Sequence, residues 1–300
     1  MSLLGGWILA CTGAGHSGGC VHRTGVDLPA AWVACDRSRN QVLWLDRDLI
    51  VRERWRVNCP VAIAWSEGQL WVASAVQGTR EGPHRIFCLQ PSGRLVGSWN
   101  VGPVRSMVSL ANGGVLLLGE TDVGGAVLWR CGGWGRWTGP LPVPGARHLR
   151  TAATGIWVLG APGSVEWLDK DWSRSLESIE VPDRLQTMSG FHLQGDKLWL
   201  RGAAKSSSWI PLDAAARRWG SARRRPWLPE SLSSIWPDHA RERKPASLMA
   251  WLNARTVLEG PNGGWLVQGN EYIWHLDARG NPLVGQGGFG VLTGAVAVGH

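Results

Sequence analysis

A four-strand pattern that recurs about every forty residues is the feature that most limits how this 300-residue chain folds. In each unit, four short apolar runs are separated by turns rich in Gly, Asp or Asn, which is typical of antiparallel strands joined by hairpins. The spacings between successive second runs are 39, 45, 41, 42 and 66 residues, measured on Trp32, Trp71, Leu116, Trp157, Trp199 and Trp265. The first four spacings match the ~40–50-residue period of β-propeller blades, and the last indicates an insertion.

Tryptophan dominates the aromatic content, with 21 Trp against 3 Phe and 1 Tyr. A four-stranded sheet of this size has two apolar faces and cannot bury both of them alone. Stacking such sheets around an axis buries both faces and leaves only short edges. Because a buried indole removes on the order of 200 Å² from water, we expect most of the repeated Trp to form the core between blades.

The first unit has only three runs, "AAWVACDR", "QVLWLDRD" and "IVRERWRV". The missing inner strand is expected from the end of the chain, where residues 294–300 read "GAVAVGH" and have no later strands of their own. The prediction is therefore an all-β fold, a six-bladed β-propeller of four-stranded antiparallel blades over residues 28–300, whose first blade is completed by the C-terminal strand.

The stretch "WVACDRSRNQVLWLDRD" resembles the repeat of bacterial NHL-type propellers. It matches their pattern of an apolar residue before Val-Ala-Asp, then Asn with Arg or Gln and Val, then an apolar residue before Asp. The resemblance covers residues 28–182 well and the remainder loosely. It implies the architecture only, because this fold supports ligand binders, scaffolds, lactonases and lyases alike.

Residues 1–27 differ in texture from the rest, with an apolar start followed by Gly, Ser and Thr. The sequence Ile8-Leu9-Ala10-Cys11 resembles a bacterial lipobox, which makes Cys11 a lipidation candidate and the segment a signal or tether. The alternatives are a strand, "GGWILACT", on the propeller edge, and a disordered tail. No run of 18 apolar residues occurs, which excludes a spanning helix. Three cysteines inside apolar runs are expected to be buried free thiols: Cys35, Cys88 and Cys131.

The insertion, at about residues 217–255, contains most of the chain's net charge of +8. Between residues 217 and 244 there are eight basic and three acidic residues, a net +5. Two runs that begin with Pro predict short helices. We expect this segment either to dock a partner or to form a solvated cap. The residues assigned to docking are Arg223, Arg224, Arg225, Trp227, Trp236, Arg241 and Arg243.

A second candidate site lies where outer strands connect to the next inner strand. Arg105, Arg147 and Arg184 each follow such a connection, and His148 adjoins the second of them. Guanidinium groups at a channel mouth would suit an anionic ligand, since their geometry matches carboxylate and phosphate. The alternative is that these Arg side chains point outward, solvated or paired with Asp183.

A metal-dependent enzyme is the alternative function. Leu258-Glu259-Gly260-Pro261 resembles the Glu-Gly-Pro of lactonase propellers, which makes Glu259 a weak calcium-ligand candidate. Calcium needs several further oxygen ligands, and none is visible at matching positions. The sequence predicts no catalytic residue, no firm metal site and no cofactor.

The favoured function is a non-catalytic binding or scaffolding propeller, such as an accessory subunit of a bacterial envelope complex. The alternative is a lactonase-like or lyase-like enzyme at the central channel. The expected partner is another protein or envelope complex, with an anionic membrane surface as a further option. Nucleic acid is disfavoured, because the basic residues cluster in one insertion instead of following a groove. The expected location is the periplasm or envelope, with the cytoplasm left open.

Overall fold

In the computed structural model, the described residues form 24 β-strands, the turns between them and one short 3-10 helix. The described residues are 31–76, 82–121, 124–132, 135–152, 155–160, 164–169, 177–185, 188–194, 197–202, 209–213, 218–222, 256–259, 264–269, 271–277 and 282–298. The chain divides into two compact units. The first consists of Met1–Pro144 together with Phe289–His300, and the second of Gly145–Gly288. Within the described ranges, no helix is long and apolar enough to cross a membrane.

The first unit contains three blades. Blade 1 has the strand order β24-β1-β2-β3, blade 2 is β4-β5-β6-β7, and blade 3 is β8-β9-β10-β11. The strands are β1 (Trp32–Asp36), β2 (Gln41–Leu45), β3 (Val51–Arg56), β4 (Pro60–Ser66), β5 (Gln69–Ala75), β6 (His84–Leu89), β7 (Leu95–Val101), β8 (Val104–Ser109), β9 (Val115–Glu120), β10 (Ala126–Cys131), β11 (Trp137–Pro142) and β24 (Leu292–Ala297).

The second unit contains the other three blades, again with four strands each in sequence order. The strands are β12 (His148–Thr151), β13 (Gly155–Leu159), β14 (Ser164–Asp169), β15 (Glu177–Glu180), β16 (Met188–Gln194), β17 (Lys197–Gly202), β18 (Ile210–Asp213), β19 (Arg218–Trp219), β20 (Thr256–Glu259), β21 (Trp265–Gln268), β22 (Tyr272–Leu276) and β23 (Pro282–Gly287). A short 3-10 helix, Asp183–Leu185, precedes β16.

The predicted fold class is confirmed: the chain forms six four-stranded antiparallel blades, the architecture of a six-bladed β-propeller. The C-terminal strand completes the first blade, because β24 pairs antiparallel with β1 from Trp32↔Ala297 to Asp36↔Leu292. The first blade therefore joins residues from the two ends of the described chain in one sheet.

Asp36, at the end of β1, anchors this closure. Its carboxylate is fully buried and accepts a 2.9 Å hydrogen bond from the Gly290 amide, just before β24. The Val291 amide donates to the Ser38 hydroxyl at 3.0 Å, and the Arg37 amide donates back to the Val291 carbonyl at 2.9 Å. The closure is therefore a set of directional polar bonds added to the strand ladder, which sets its register.

Indole clusters fill the space between blades in the first unit, as expected from the sequence. The ring centroid of Trp44 lies 4.6 Å from that of Trp55 and 6.0 Å from that of Trp65, which belongs to the next blade. Within blade 2, Trp99 stacks on Trp71 with the ring centroids 5.6 Å apart, and the Trp99 centroid lies 6.0 Å from that of Trp137 in blade 3. A Cβ built on Gly97 would lie 2.7 Å from the Trp99 ring, so the absence of a side chain on β7 makes room for this stack.

The second unit repeats this packing between blades 4 and 5. Trp157 is fully buried and packs edge-on against Trp167, with the two ring centroids 4.3 Å apart. Leu198 and Leu200 of β17 belong to the same buried cluster. Trp219 packs on its edge, and its indole N–H donates to the Glu180 carbonyl of the neighbouring blade at 3.1 Å. Large rigid rings therefore bridge adjacent sheets in both units.

Asp46 organises the turn between β2 and β3. Its carboxylate accepts hydrogen bonds from the amides of Asp48 and Ile50, each at 2.9 Å, and from Arg52 Nε at 2.6 Å. Burial alone would raise the pKa of Asp46. The hydrogen bonds from Ile50, Arg52 and Asp48 and the charge of Arg52 outweigh burial, so the pKa lies below its ordinary value of 3.8.

We expect Gly290→Ala to weaken the closure. A Cβ at this position would collide with Ser38 Oγ and Asp36 Oδ1, so the variant should lose about 1–3 kcal/mol of unfolding free energy. The measurement is urea unfolding followed by Trp fluorescence. Gly287→Ala is the matched control, because its Cβ would meet only the Glu271 carbonyl at 4.0 Å. Equal losses in both variants would contradict the role of Gly290.

Asp46→Asn should lower stability in a pH-dependent way. Because the folded-state pKa of Asp46 is depressed, its ionic contribution is fully present above pH 3.8 and disappears as the pH falls through the lowered value. We expect the variant to be about 1 kcal/mol less stable at pH 7, with the difference closing in acid. Thermal unfolding from pH 7 to pH 2 measures this. The control is Asp48→Asn, an exposed position in the same turn; a pH-independent difference at Asp46 would refute the assignment.

Candidate functional site

Arg105 lies at the start of inner strand β8, where the predicted anion site places it. It is exposed, and its Nε and a terminal guanidinium nitrogen both contact Glu120 Oε1 on β9 of the same blade. An anion at this position would therefore compete with a carboxylate that the blade itself supplies. Such partly exposed ion pairs contribute little to stability, which leaves the pair open to exchange with a ligand.

Arg147 and His148 lie together at the start of blade 4. Both are exposed, and His148 is the first residue of β12, opposite Leu159. The Arg147 amide donates to the Leu159 carbonyl at 2.8 Å, which holds the backbone of this corner. Gly160, at φ +114°, leaves room for it, because a Cβ there would lie 2.9 Å from Arg147 Cβ.

Arg184 occupies the corresponding connection before blade 5. It lies within the 3-10 helix Asp183–Leu185, and its side chain is outside the described part of the structure. Arg105 belongs to the first unit and the other three residues to the second. The proposed convergence of Arg105, Arg147, His148 and Arg184 on one ligand therefore stays a prediction.

Arg150 is a basic residue that the sequence analysis did not single out. It lies on β12 two residues after His148, so both side chains leave the same face of the strand. Burial lowers the pKa of Arg150 to about 10, so the group remains charged at neutral pH. Its Nη1 donates to the Leu149 carbonyl at 2.7 Å. The His-x-Arg alternation in "RHLR" is the sequence pattern that could have indicated this residue. Of the three inner strands of the second unit, β12 contains the most His and Arg residues.

Four described cysteines are buried and form no disulfide: Cys35, Cys59, Cys88 and Cys131. The sequence predicted this for Cys35, Cys88 and Cys131. Burial raises the pKa of Cys88 and of Cys131 to about 12, with the charge of Cys88 adding to the effect at Cys131. Burial and then the neighbouring Asp36 raise the pKa of Cys35 even further. The thiols of Cys35, Cys88 and Cys131 are therefore protonated at neutral pH and poor nucleophiles.

Two of the predicted sites lie outside the described residues. They are the lipidation candidate Cys11 and the docking residues Arg223, Arg224, Arg225, Trp227, Trp236, Arg241 and Arg243, together with the two helices predicted around them. Glu259 is the last residue of β20, opposite Trp265, but its side chain is likewise not described. Within the described ranges, no group of three or more His, Cys, Asp or Glu side chains could hold a metal ion.

The comparisons with known proteins support the fold. No protein-family model matches the chain, and no curated protein does. Among solved structures, a protein of unknown function from Bacteroides caccae matches with a TM-score of 0.57 and 11% identity, over 90% of this chain and 99% of that one. BamB from Moraxella catarrhalis matches with a TM-score of 0.50 and 11% identity, over 92% of both chains.

Dihydro-heme d1 dehydrogenase NirN, solved in complex with DHE, matches with a TM-score of 0.52 and 13% identity. This chain is covered over 88% of its length but spans only 55% of the NirN chain. At these identities the similarities show the β-propeller fold alone. Kinship with the NHL repeat family in particular stays a prediction.

The buried thiols should resist labelling in the folded protein. In a Cys11→Ser, Cys20→Ser, Cys59→Ser variant, only Cys35, Cys88 and Cys131 remain. Burial raises the pKa of Cys88 and Cys131 to about 12 and raises that of Cys35 as well. Their reaction with Ellman's reagent at pH 7.5 should therefore be at least about a hundredfold slower than in 6 M guanidinium chloride, because thiolate is the reactive form. Rapid labelling of the native variant would show that at least one of these thiols is accessible and ionised.

Proposed function

We propose that this protein is a non-catalytic binding or scaffolding propeller that works as an accessory subunit of a bacterial envelope complex. The observation that carries the proposal is the position of the insertion. Strand β19 ends at Trp219 and β20 begins at Thr256, and the blades on either side each have four strands without the intervening residues. Residues 220–255 lie between these two strands in the sequence and contain seven basic and three acidic residues, a net +4 of the chain's +8.

A basic segment with interleaved Trp suits a protein interface. Arg and Trp are enriched among the residues that dominate binding energy, and a rigid scaffold lowers the entropy cost of presenting them. Arg223, Arg224 and Arg225 lie two to four residues before Trp227, so basic and aromatic residues occur together in the sequence. An anionic membrane surface is the second partner that this composition would fit.

Location in the envelope rests on the start of the chain. The lipobox-like Leu9-Ala10-Cys11 sequence, followed by a Gly- and Ser-rich stretch, supports a lipid anchor at Cys11 with a flexible tether. A tethered propeller would hold its insertion close to the membrane, where envelope complexes assemble. We include the anion site formed by Arg105, Arg147, His148 and Arg184 as a separate, smaller proposal, to which Arg150 adds a further charge.

Purification of the tagged protein from its native membrane tests the proposal. We expect a partner protein to co-purify in stoichiometric amount, and Arg223→Glu, Arg224→Glu, Arg225→Glu to reduce its recovery at least about fivefold through charge reversal. The matched control reverses Arg94, Arg136 and Lys197, three exposed cations elsewhere on the described surface. Equal recovery of the partner with both triple variants would contradict the docking role of the insertion. Release of a Cys11→Ala variant from the membrane fraction would support the lipid anchor at Cys11.

A further inference from the structure

The outer strand of blade 1, β3 (Val51–Arg56), has an exposed edge with an unusual charge pattern. Each blade ends in one outer strand, and a strand in that position has backbone N–H and C=O groups directed away from the sheet. Of the six outer strands described, only β3 has more than one basic residue. The others read LVGSWNV, WTGPLP, ESIE, RW and PLVGQG.

The two faces of β3 differ sharply. Trp55 is buried and packs on Trp44, and its indole N–H donates to Glu53 Oε2 at 2.8 Å. Glu53 and Trp55 therefore belong to the core-facing side. Because side chains alternate along a strand, Arg54 and Arg56 point to the opposite side, where both are exposed.

The positive charges of Arg54 and Arg56 are not paired with any described carboxylate. Arg52 forms an ion pair with Asp46. The pairing of β3 with β2 is irregular near Arg52 and regular further along, where Arg54 lies opposite Leu43 and Arg56 opposite Gln41. Of the nearby carboxylates, that of Asp36 accepts a hydrogen bond from the Gly290 amide, and that of Glu53 accepts one from the Trp55 indole. Among the described residues, neither Arg54 nor Arg56 has an ion-pair partner.

We propose that β3 binds an extended acidic segment of a partner protein as a fifth strand of blade 1. In this arrangement the backbone of the segment pairs with the outer edge of β3, which pairs with no other described strand. Its Asp or Glu residues at alternate positions lie opposite Arg54 and Arg56. The proposal deepens the proposed binding function, on which it rests, by naming a surface and the chemistry of the partner.

The geometry favours an alternating acidic strand over other anions. Arg54 and Arg56 are two residues apart, which places their Cα atoms about 6.7 Å from one another. A paired strand repeats its side chains at that same distance, and directly opposite residues lie about 5 Å apart. Each carboxylate would therefore meet one guanidinium, while a basic or neutral strand would leave both Arg charges unmatched.

Binding of synthetic peptides to the purified full chain tests this proposal. The probe is the fluorescein-labelled peptide TVEVEVET, and the matched control is TVVEEEVT, which has the same composition with its three Glu consecutive. A third peptide repeats the alternating sequence with N-methyl groups on every second amide, so that one edge cannot form a ladder. Fluorescence anisotropy at 150 mM salt gives the affinities.

We expect the alternating peptide to bind at least about tenfold more tightly than the other two. Arg54→Glu with Arg56→Glu should weaken its binding at least about tenfold, since two attractions become repulsions. Reversal of Arg94 and Arg136, exposed cations on blades 2 and 3, should change it less than about threefold. Arg54→Gln with Arg56→Gln should also weaken binding, and serves if the reversed variant fails to fold.

Several results would overturn the proposal. Equal affinity for the three peptides would show a diffuse electrostatic surface, and equal losses in both charge-reversal variants would show the same. Competition by single-stranded (dT)8 or by anionic lipid vesicles as effective as by the alternating peptide would indicate a general polyanion site. These outcomes are separate from the membrane purification, which tests the insertion, so either hypothesis can fail while the other stands.

Discussion

Pairing of β24 with β1 is the interaction on which the rest of the structure depends. Neither strand alone can complete blade 1, and the pairing joins residues separated by more than 250 positions. Asp36 reinforces it with a buried hydrogen bond to the Gly290 amide. Buried polar groups are costly unless they are satisfied, so this carboxylate favours one register of β24 over its alternatives. The indole clusters of Trp44 and Trp71 then pack on sheets that are already complete.

A scaffold of this kind separates stability from function. The fully buried side chains are almost all apolar, and the Trp clusters lie between blades, so the outer strands and connections are free to vary. The distinctive chemistry is accordingly found there: the Arg pair on β3, the basic corner at Arg147 and His148, and the insertion after β19. Each of these sequences is rich in basic residues, which would suit the acidic partner that we propose.

The candidate site was less predictable than the fold. The sequence located Arg105 and His148 at the starts of inner strands, because the repeat places these positions. It did not show that Glu120 engages Arg105, since that contact depends on the register between β8 and β9. It also missed Arg150, whose partial burial depends on the packing around β12, and the exposed Arg54 and Arg56 of β3. Partner choice among exposed charges is a property of three-dimensional proximity, which a linear pattern does not encode.

The sequence by itself determined the number of blades, the four-stranded unit, the role of Trp between blades and the return of the C-terminal strand to blade 1. It could do so because hydrophobic periodicity and turn residues are local and repeat six times. The tertiary structure alone decided which charged side chains have partners. Asp46 holds Arg52 and Trp55 holds Glu53, whereas Arg54 and Arg56 stay exposed on the opposite face. The reason is geometric, because an ion pair forms only where folding brings two side chains within a few ångströms.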